Sequence, residues 1–246
     1  MDFEGASLSL SELRLGHANR NQHAFGRRGL NVSSSYAVLL SSASTAALLL
    51  VTTAAHADQI IDGGSSVVVS VDQPINGNLF IGYNSVGTLL IENGAKLSDV
   101  FSYGGVNFGS SANVTVRGAG SYWENTRELH FGYRGGGTLT IEGGGKVSNT
   151  VGVVANSSAA PSRVTVTGTN SRWINSSDLY LGISGAGTLE IKDGATVASF
   201  TGLLSYNPVS NSKVSVDGSK SAWTNSGQLY RAGSGNLDSG ISGVSA

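Results

Sequence analysis

Short runs with apolar residues at alternate positions, and in all but the first a polar residue between them, recur along the chain: Leu89-Leu90-Ile91, Val114-Thr115-Val116, Leu139-Thr140-Ile141, Val164-Thr165-Val166, Leu189-Glu190-Ile191 and Val214-Ser215-Val216. Apolar residues at i and i+2 mark short, half-buried β-strands. No segment keeps the i, i+3, i+4 spacing of a helix face over three turns. Successive runs recur at a constant spacing of 25 and are separated by Gly-rich stretches. Like residues therefore fall at like positions on successive coils. This pattern predicts an all-β chain folded as a right-handed parallel β-helix, a solenoid of about 25 residues per coil whose inward residues stack into aliphatic columns. Val67 and Val69 open the series after a first spacing of 22, which gives about seven coils. At about 4.8 Å per coil the rod is roughly 30–35 Å long. The runner-up, an antiparallel propeller or sandwich, would not produce so constant a column.

A second period of 50 overlies the first. Trp123, Trp173 and Trp223 each stand within Ser-x-Trp-x-Asn, from Ser121 to Asn125, Ser171 to Asn175 and Ser221 to Asn225, and Gly-Thr-Leu recurs at 87–89, 137–139 and 187–189. Three gapless copies, near 79–128, 129–178 and 179–228, make up a repeat domain spanning 58–230. At a strict spacing of 25, the tryptophan column would alternate with Ser98, Ser148 and Ala198, small residues that leave room for each ring. The asparagines are expected to satisfy backbone groups at coil corners. Gly135-Gly136-Gly137 and Gly185-Ala186-Gly187 are expected to take positive φ there. The columns then require apolar residues near 239 and 241, where Ser239 and Ile241 supply half the pair. Residues 231–246 accordingly read as an incomplete repeat and a disordered tail. That leaves the last coil with an unpaired edge able to self-associate.

Residues 1–57 have a different character. Arg14, Arg20, Arg27 and Arg28 precede an uncharged Ser/Ala/Leu/Val stretch from about Tyr36 to Ala55, and Ala55-His56-Ala57 follows as a small-x-small cleavage site before Asp58. This order is that of an export signal. About twenty residues could also serve as an uncleaved anchor, but Ser41, Ser42, Ser44, Thr45, Thr52 and Thr53 weaken it, so a cleaved signal peptide is the expectation.

Composition narrows the chemistry. Glycine supplies 35 of 246 residues, about twice its usual share near 7%, as a turn-rich solenoid requires. The chain has no cysteine, which excludes disulfides, thiolate metal sites and cysteine nucleophiles. Beyond Ala57 there are eleven basic and thirteen acidic residues and one histidine, His130. No basic footprint points to nucleic acid.

The block 129–147, Leu-His-Phe-Gly-Tyr-Arg-Gly-Gly-Gly-Thr-Leu-Thr-Ile-Glu-Gly-Gly-Gly-Lys-Val, and its companion 164–173, Val-Thr-Val-Thr-Gly-Thr-Asn-Ser-Arg-Trp, resemble a repeat of bacterial autotransporter (type V secretion) passengers. The same repeat is shared with some PEP-CTERM-type surface proteins. The resemblance covers about 79–230. It implies a passenger exported to, or shed from, the outer surface of a Gram-negative cell, with a translocator barrel as partner. No such barrel and no Pro-Glu-Pro sorting signal occurs within this sequence, so a separately encoded barrel is the expected partner. Host or matrix glycans and neighbouring cells are the other expected contacts.

Candidate chemistry is sparse. Paired carboxylates are how β-helix lyases and glycosidases work, and the closest pairs are Glu124/Glu128 and Glu190/Asp193. Between copies these positions drift: Glu124 becomes Ile174 and Thr224, and Glu128 becomes Asp178 and Gln228. His130 occupies a slot filled by Phe80, Tyr180 and Tyr230 in other copies, which reads as an aromatic position rather than a base. Gly-Gly-Gly-Thr-Leu-Thr lacks the aspartate of calcium-binding β-rolls, and no phosphate-binding glycine loop occurs. Tyr83, Tyr133, Tyr180 and Tyr230 could stack on glycans or serve as ordinary strand aromatics. The expectation is a non-enzymatic exported repeat protein for surface display, adhesion or scaffolding, with no catalytic residue, cofactor or metal. The alternative is a secreted polysaccharide-acting β-helix enzyme.

Overall fold

A computed structural model describes residues 37–38, 57–157, 160–208, 210–232, 235–239 and 244–245, within the compact unit Ser34–Ala246. Every helix or strand among the described residues is a strand, and the strands form three parallel sheets of nine, eight and eight. The fold is a parallel β-solenoid of about seven turns, as the alternation predicts. One coil shows the plan. Leu129–Phe131 belongs to a sheet of short strands, Gly136–Glu142 to a sheet of long strands, and Lys146–Asn149 to the sheet that holds the tryptophans.

In the long-strand sheet the register matches the sequence period. Val67, Leu89, Val114, Leu139, Val164, Leu189 and Val214 are successive partners. Val69, Ile91, Val116, Ile141, Val166, Ile191 and Val216 form the parallel column, buried throughout. Intervening residues such as Thr140 face outward and are half-buried.

The tryptophan sheet departs from the strict period. Its inward column is Leu97, Trp123, Val147, Trp173, Val197 and Trp223, with spacings that alternate between 26 and 24. Ser98, Ser148 and Ala198 instead pair with Glu124, Ile174 and Thr224 and face outward. The expected alternation of tryptophan with these small residues is therefore corrected. The cause lies in the corners. Four residues separate Ile141 from Lys146, but five separate Val116 from Tyr122. The corner after each tryptophan strand is also one residue longer, and the shorter connection from Leu129 to Leu139, against that from Ser102 to Val114, compensates.

Room for the indoles comes from the other two walls. Coils with tryptophan carry Val114/Val116, Val164/Val166 and Val214/Val216 on the long-strand sheet, with Ser102, Gly152 or Gly202 on the short-strand sheet. Coils without it carry Leu/Ile pairs and Leu79, Leu129 or Leu179. A Cβ at Gly152 would lie 2.8 Å from Trp173 Cζ2, and one at Gly202 2.8 Å from Trp223 Cζ2. Bulk thus alternates between the walls, with smaller side chains opposite each indole.

The glycines also differ from expectation. Gly135, Gly136, Gly137, Gly185 and Gly187 do not take positive φ; Gly132 and Gly182 do, both at +75°. At Gly135 the requirement is close approach, since a Cβ would press on the backbone oxygens of Ser110 and Asn107.

Both ends extend further than expected. Asn236–Ser239 pairs with the strand Lys213–Asp217, setting Leu237 in register with Val214, and Val244–Ser245 pairs with Trp223–Thr224. Residues 236–239 are therefore part of a sheet, not a disordered tail. The corner after Arg231 is short enough to bring Leu237, rather than residue 239, to that register position. At the other end Ala37–Val38 lies parallel to Gln59–Ile60, so these two residues join the sheets, at an edge whose free backbone groups accept a strand. The rest of the export-signal segment, residues 1–36 and 39–56, lies outside the described residues.

Candidate functional site

The serine and tryptophan of every Ser-x-Trp-x-Asn copy, and the asparagine oxygen of the second and third, reach back to the preceding coil. Ser121, Ser171 and Ser221 accept the corner N–H groups of Gly94, Gly144 and Gly194 at 3.0, 3.0 and 2.9 Å. Trp123 Nε1 donates to Asp99 Oδ2 at 2.7 Å, Trp173 Nε1 to Asn149 Oδ1 at 2.8 Å, and Trp223 Nε1 to Ser199 Oγ at 3.1 Å. Asn175 Oδ1 accepts from Asn149 Nδ2 at 2.7 Å, and Asn225 Oδ1 from Ser199 Oγ at 2.6 Å. Asn175 Nδ2 also donates to the Ala198 carbonyl at 3.2 Å. The expected amide-to-backbone role thus holds for one atom of Asn175, while the Oδ1 atoms of Asn175 and Asn225 bond side chains. The motif is a clasp that joins two coils, and an indole N–H in an apolar core requires the acceptor it provides.

The clasp around Asp99 differs from the other two. Asp99, 2% exposed, is the one ionisable side chain among the buried described residues. Burial pushes its carboxyl up to about 7, against the opposing influence of the Trp123 N–H and the Ser102 hydroxyl. Asp99 Oδ1, Ser102 Oγ and both amide atoms of Asn125 lack a well-formed hydrogen bond. Asp99 is not among the candidates drawn from sequence. The signal that reveals it is its place one coil before a tryptophan, at a separation of 24, where the other copies carry Asn149 and Ser199.

The carboxylates considered as pairs do not converge. Glu124 binds Lys96 at 2.6 Å, and this hydrogen bond lowers its carboxyl below the usual range. Glu128 contacts His130 Nε2 at 2.9 Å, Glu190 meets Arg163, and Asp193 accepts from Thr167 Oγ1 at 2.8 Å. Burial alone would raise Asp62, but the Asn84 and Ser85 backbone N–H groups outweigh it and the carboxyl is lowered. Asp62 is a turn anchor. A groove lined by Glu92, Arg117, Glu142 and Thr167 runs along the corners, and there Arg117 neutralises Glu92. No group of three or more His, Asp or Glu among the described residues is placed to hold a metal.

The outer face of the short-strand sheet carries an aromatic row. Phe80, Tyr103 and His130 are register partners. Phe80 stacks on Tyr103 at 5.4 Å and Tyr103 on His130 at 5.1 Å, with interplanar angles of 12° and 18°. Tyr133 meets both Tyr103 and His130 edge-on. The stacked rings cover one another's faces, which are the surfaces that would stack on a sugar. Tyr180 stands apart from this row beside Tyr206, and Tyr230 is exposed. His130 is a member of the row, in the aromatic slot that its counterparts indicate.

No protein family, curated protein or solved structure matches the chain.

Proposed function

We propose that the chain is an exported, non-enzymatic β-helical repeat protein, a passenger or passenger fragment of an autotransporter, used for surface display, adhesion or scaffolding. The observation that carries this reading is where the internal copies agree. The clasp serines, tryptophans and asparagines and the inward aliphatics recur, while outward residues such as Glu124, Ile174 and Thr224 differ from copy to copy. Repetition that maintains a stack is what a rigid spacer needs. A catalytic cleft needs particular outward groups in one place, and the carboxylates considered for it are each held by a different neighbour.

The test is expression of the full chain in a Gram-negative host, with and without a co-expressed translocator barrel. The proposal expects protein whose sequence begins at Asp58, accessible to protease on intact cells when the barrel is present. A full-length chain retained in the cytoplasm in both cases would overturn it. Depolymerisation of acidic or neutral polysaccharides by the purified chain would favour the enzymatic reading.

A further inference from the structure

The three clasps are built alike, yet only in the second and third does the residue that receives the indole N–H also donate to the motif's asparagine, and the third still leaves Asn225 Nδ2 without a partner. In the second, Asn149 accepts from the tryptophan and donates to Asn175 Oδ1. In the third, the Ser199 hydroxyl accepts from Trp223 and donates to Asn225 Oδ1. The position is therefore occupied by a group that both accepts and donates, and Asn and Ser meet that requirement in different ways. In the first, Asp99 accepts from Trp123 through Oδ2, and its register partner is Asn125. An ionised carboxylate has no hydrogen to offer. Among the described residues, four of the seven buried side-chain polar atoms without a partner belong to this one cluster. The shortfall in pairing is thus concentrated where an acceptor-only carboxylate stands in the place of Asn or Ser, although Ser102 Oγ and Asn125 Nδ2 among these atoms carry hydrogens of their own.

We propose that Asp99 is held as a neutral carboxylic acid whose Oδ1–H donates to Asn125 Oδ1, closing the first clasp by a proton and making it open as pH rises. The described surroundings offer no cation to carry the charge, and the Trp123 N–H and Ser102 hydroxyl, which favour the ionised form, do not outweigh burial. Lys96, Tyr122 and Glu124, on the strands that hold Asp99 and its partner, alternate to the outer face, as does Tyr103 beside Ser102. Gln73–Pro74, the neighbouring strand on the other side, brings no charge. No cation among the described residues faces the carboxyl, and burial, the largest influence on it, disfavours the charged form.

The direction of the pH dependence follows. The folded chain keeps this proton to about pH 7, whereas an unfolded aspartic acid releases it near 3.9. The stabilisation is complete below the unfolded value, declines between the two and is lost above about pH 7. The lowered carboxyls of Asp62 and Glu124 act in the opposite sense and at lower pH, so a window from pH 5 to 8 isolates Asp99. His130 is common to the proteins compared, so any contribution from it cancels.

The experiment measures thermal unfolding of the full chain from pH 5 to 8 beside Asp99→Asn and Asp99→Ser, which copy the second and third clasps. The midpoint of the unsubstituted protein is expected to fall by several degrees across the window, and both variants are expected to remove most of that fall and to exceed it at pH 8. An equal slope in all three would overturn the proposal, as would no slope in the unsubstituted protein. Carbon-13 NMR of the Asp99 carboxyl in the unsubstituted chain gives an answer even if a variant fails to fold. A midpoint near 7 supports the proposal and one near 4 overturns it.

Discussion

The long-strand sheet and the tryptophan sheet are walls of the same solenoid, yet they keep different time. The first advances in steps of 25 from Leu89 to Val214, while the second alternates between 26 and 24. The first stacks aliphatic residues of similar size, which need only apolar neighbours above and below. The second stacks large rings between Leu97, Val147 and Val197, and each ring carries an N–H that must find an acceptor. One extra corner residue before every tryptophan strand sets the indole against the correct coil. The longer repeat is therefore a unit of two coils, set by the indole bonds and by the Val and Leu/Ile pairs that alternate opposite them, laid over a strand spacing of one.

The comparison is broken most severely by charging the uniform wall. Ile141→Asp places a carboxylate between Val116 and Val166 with no partner, and is expected to cost several kcal/mol, enough to unfold much of the population. Thr140→Asp, on the outer side of the same strand, is expected to cost about 1 kcal/mol or less. Urea unfolding of the two variants measures the difference, and equal midpoints would refute the strand phase. In the tryptophan wall, Trp173→Phe keeps most of the apolar bulk but leaves Asn149 Oδ1 without its donor. A loss of about 1–3 kcal/mol is expected from the orphaned acceptor. Val147→Ile, in the same column without a polar link, then serves as the packing control.

A finer test addresses volume exchange between walls. Gly152→Ala drives a methyl toward the Trp173 ring and Asn175 Oδ1 and is expected to cost about 1–3 kcal/mol as overpacking. Ser102→Ala at the matching position, where a Cβ is already accommodated, is expected to be near neutral. Reversal of that order in thermal melts would remove the volume argument. The smallest effect is assigned to the outside of the solenoid. Breaking the Arg163–Glu190 pair, whose arginine is half exposed, is expected to cost about 0.5 kcal/mol, diminishing further with salt.

Much of the fold was legible in the residues because Leu139, Thr140 and Ile141 must alternate inward and outward wherever they lie in a strand, and their counterparts repeat that demand. The alternation of the tryptophan column was hidden because the corners compensate within each pair of coils and restore a mean of 25. Reading Ser148 and Ala198 as the tryptophans' neighbours followed from that mean. Gly135 to Gly137 showed that glycine was required but not for which reason, since positive φ and close approach select the same residue. Residues 236–239 were missed because a shorter corner moved Leu237 into register. Asp99 was the least visible: a carboxylate looks like a surface residue until its distance from Trp123 is compared with that of Asn149 from Trp173.

The clasps also impose an order of assembly. Each serine, each tryptophan N–H and each paired asparagine oxygen bonds a group that lies earlier in the chain, 24 to 27 residues back. A growing rod can thus lock every second layer onto one already laid, with these three links requiring nothing from the layers still to come. Viewed as a machine part, the solenoid is a ratchet whose teeth all lean toward its amino end.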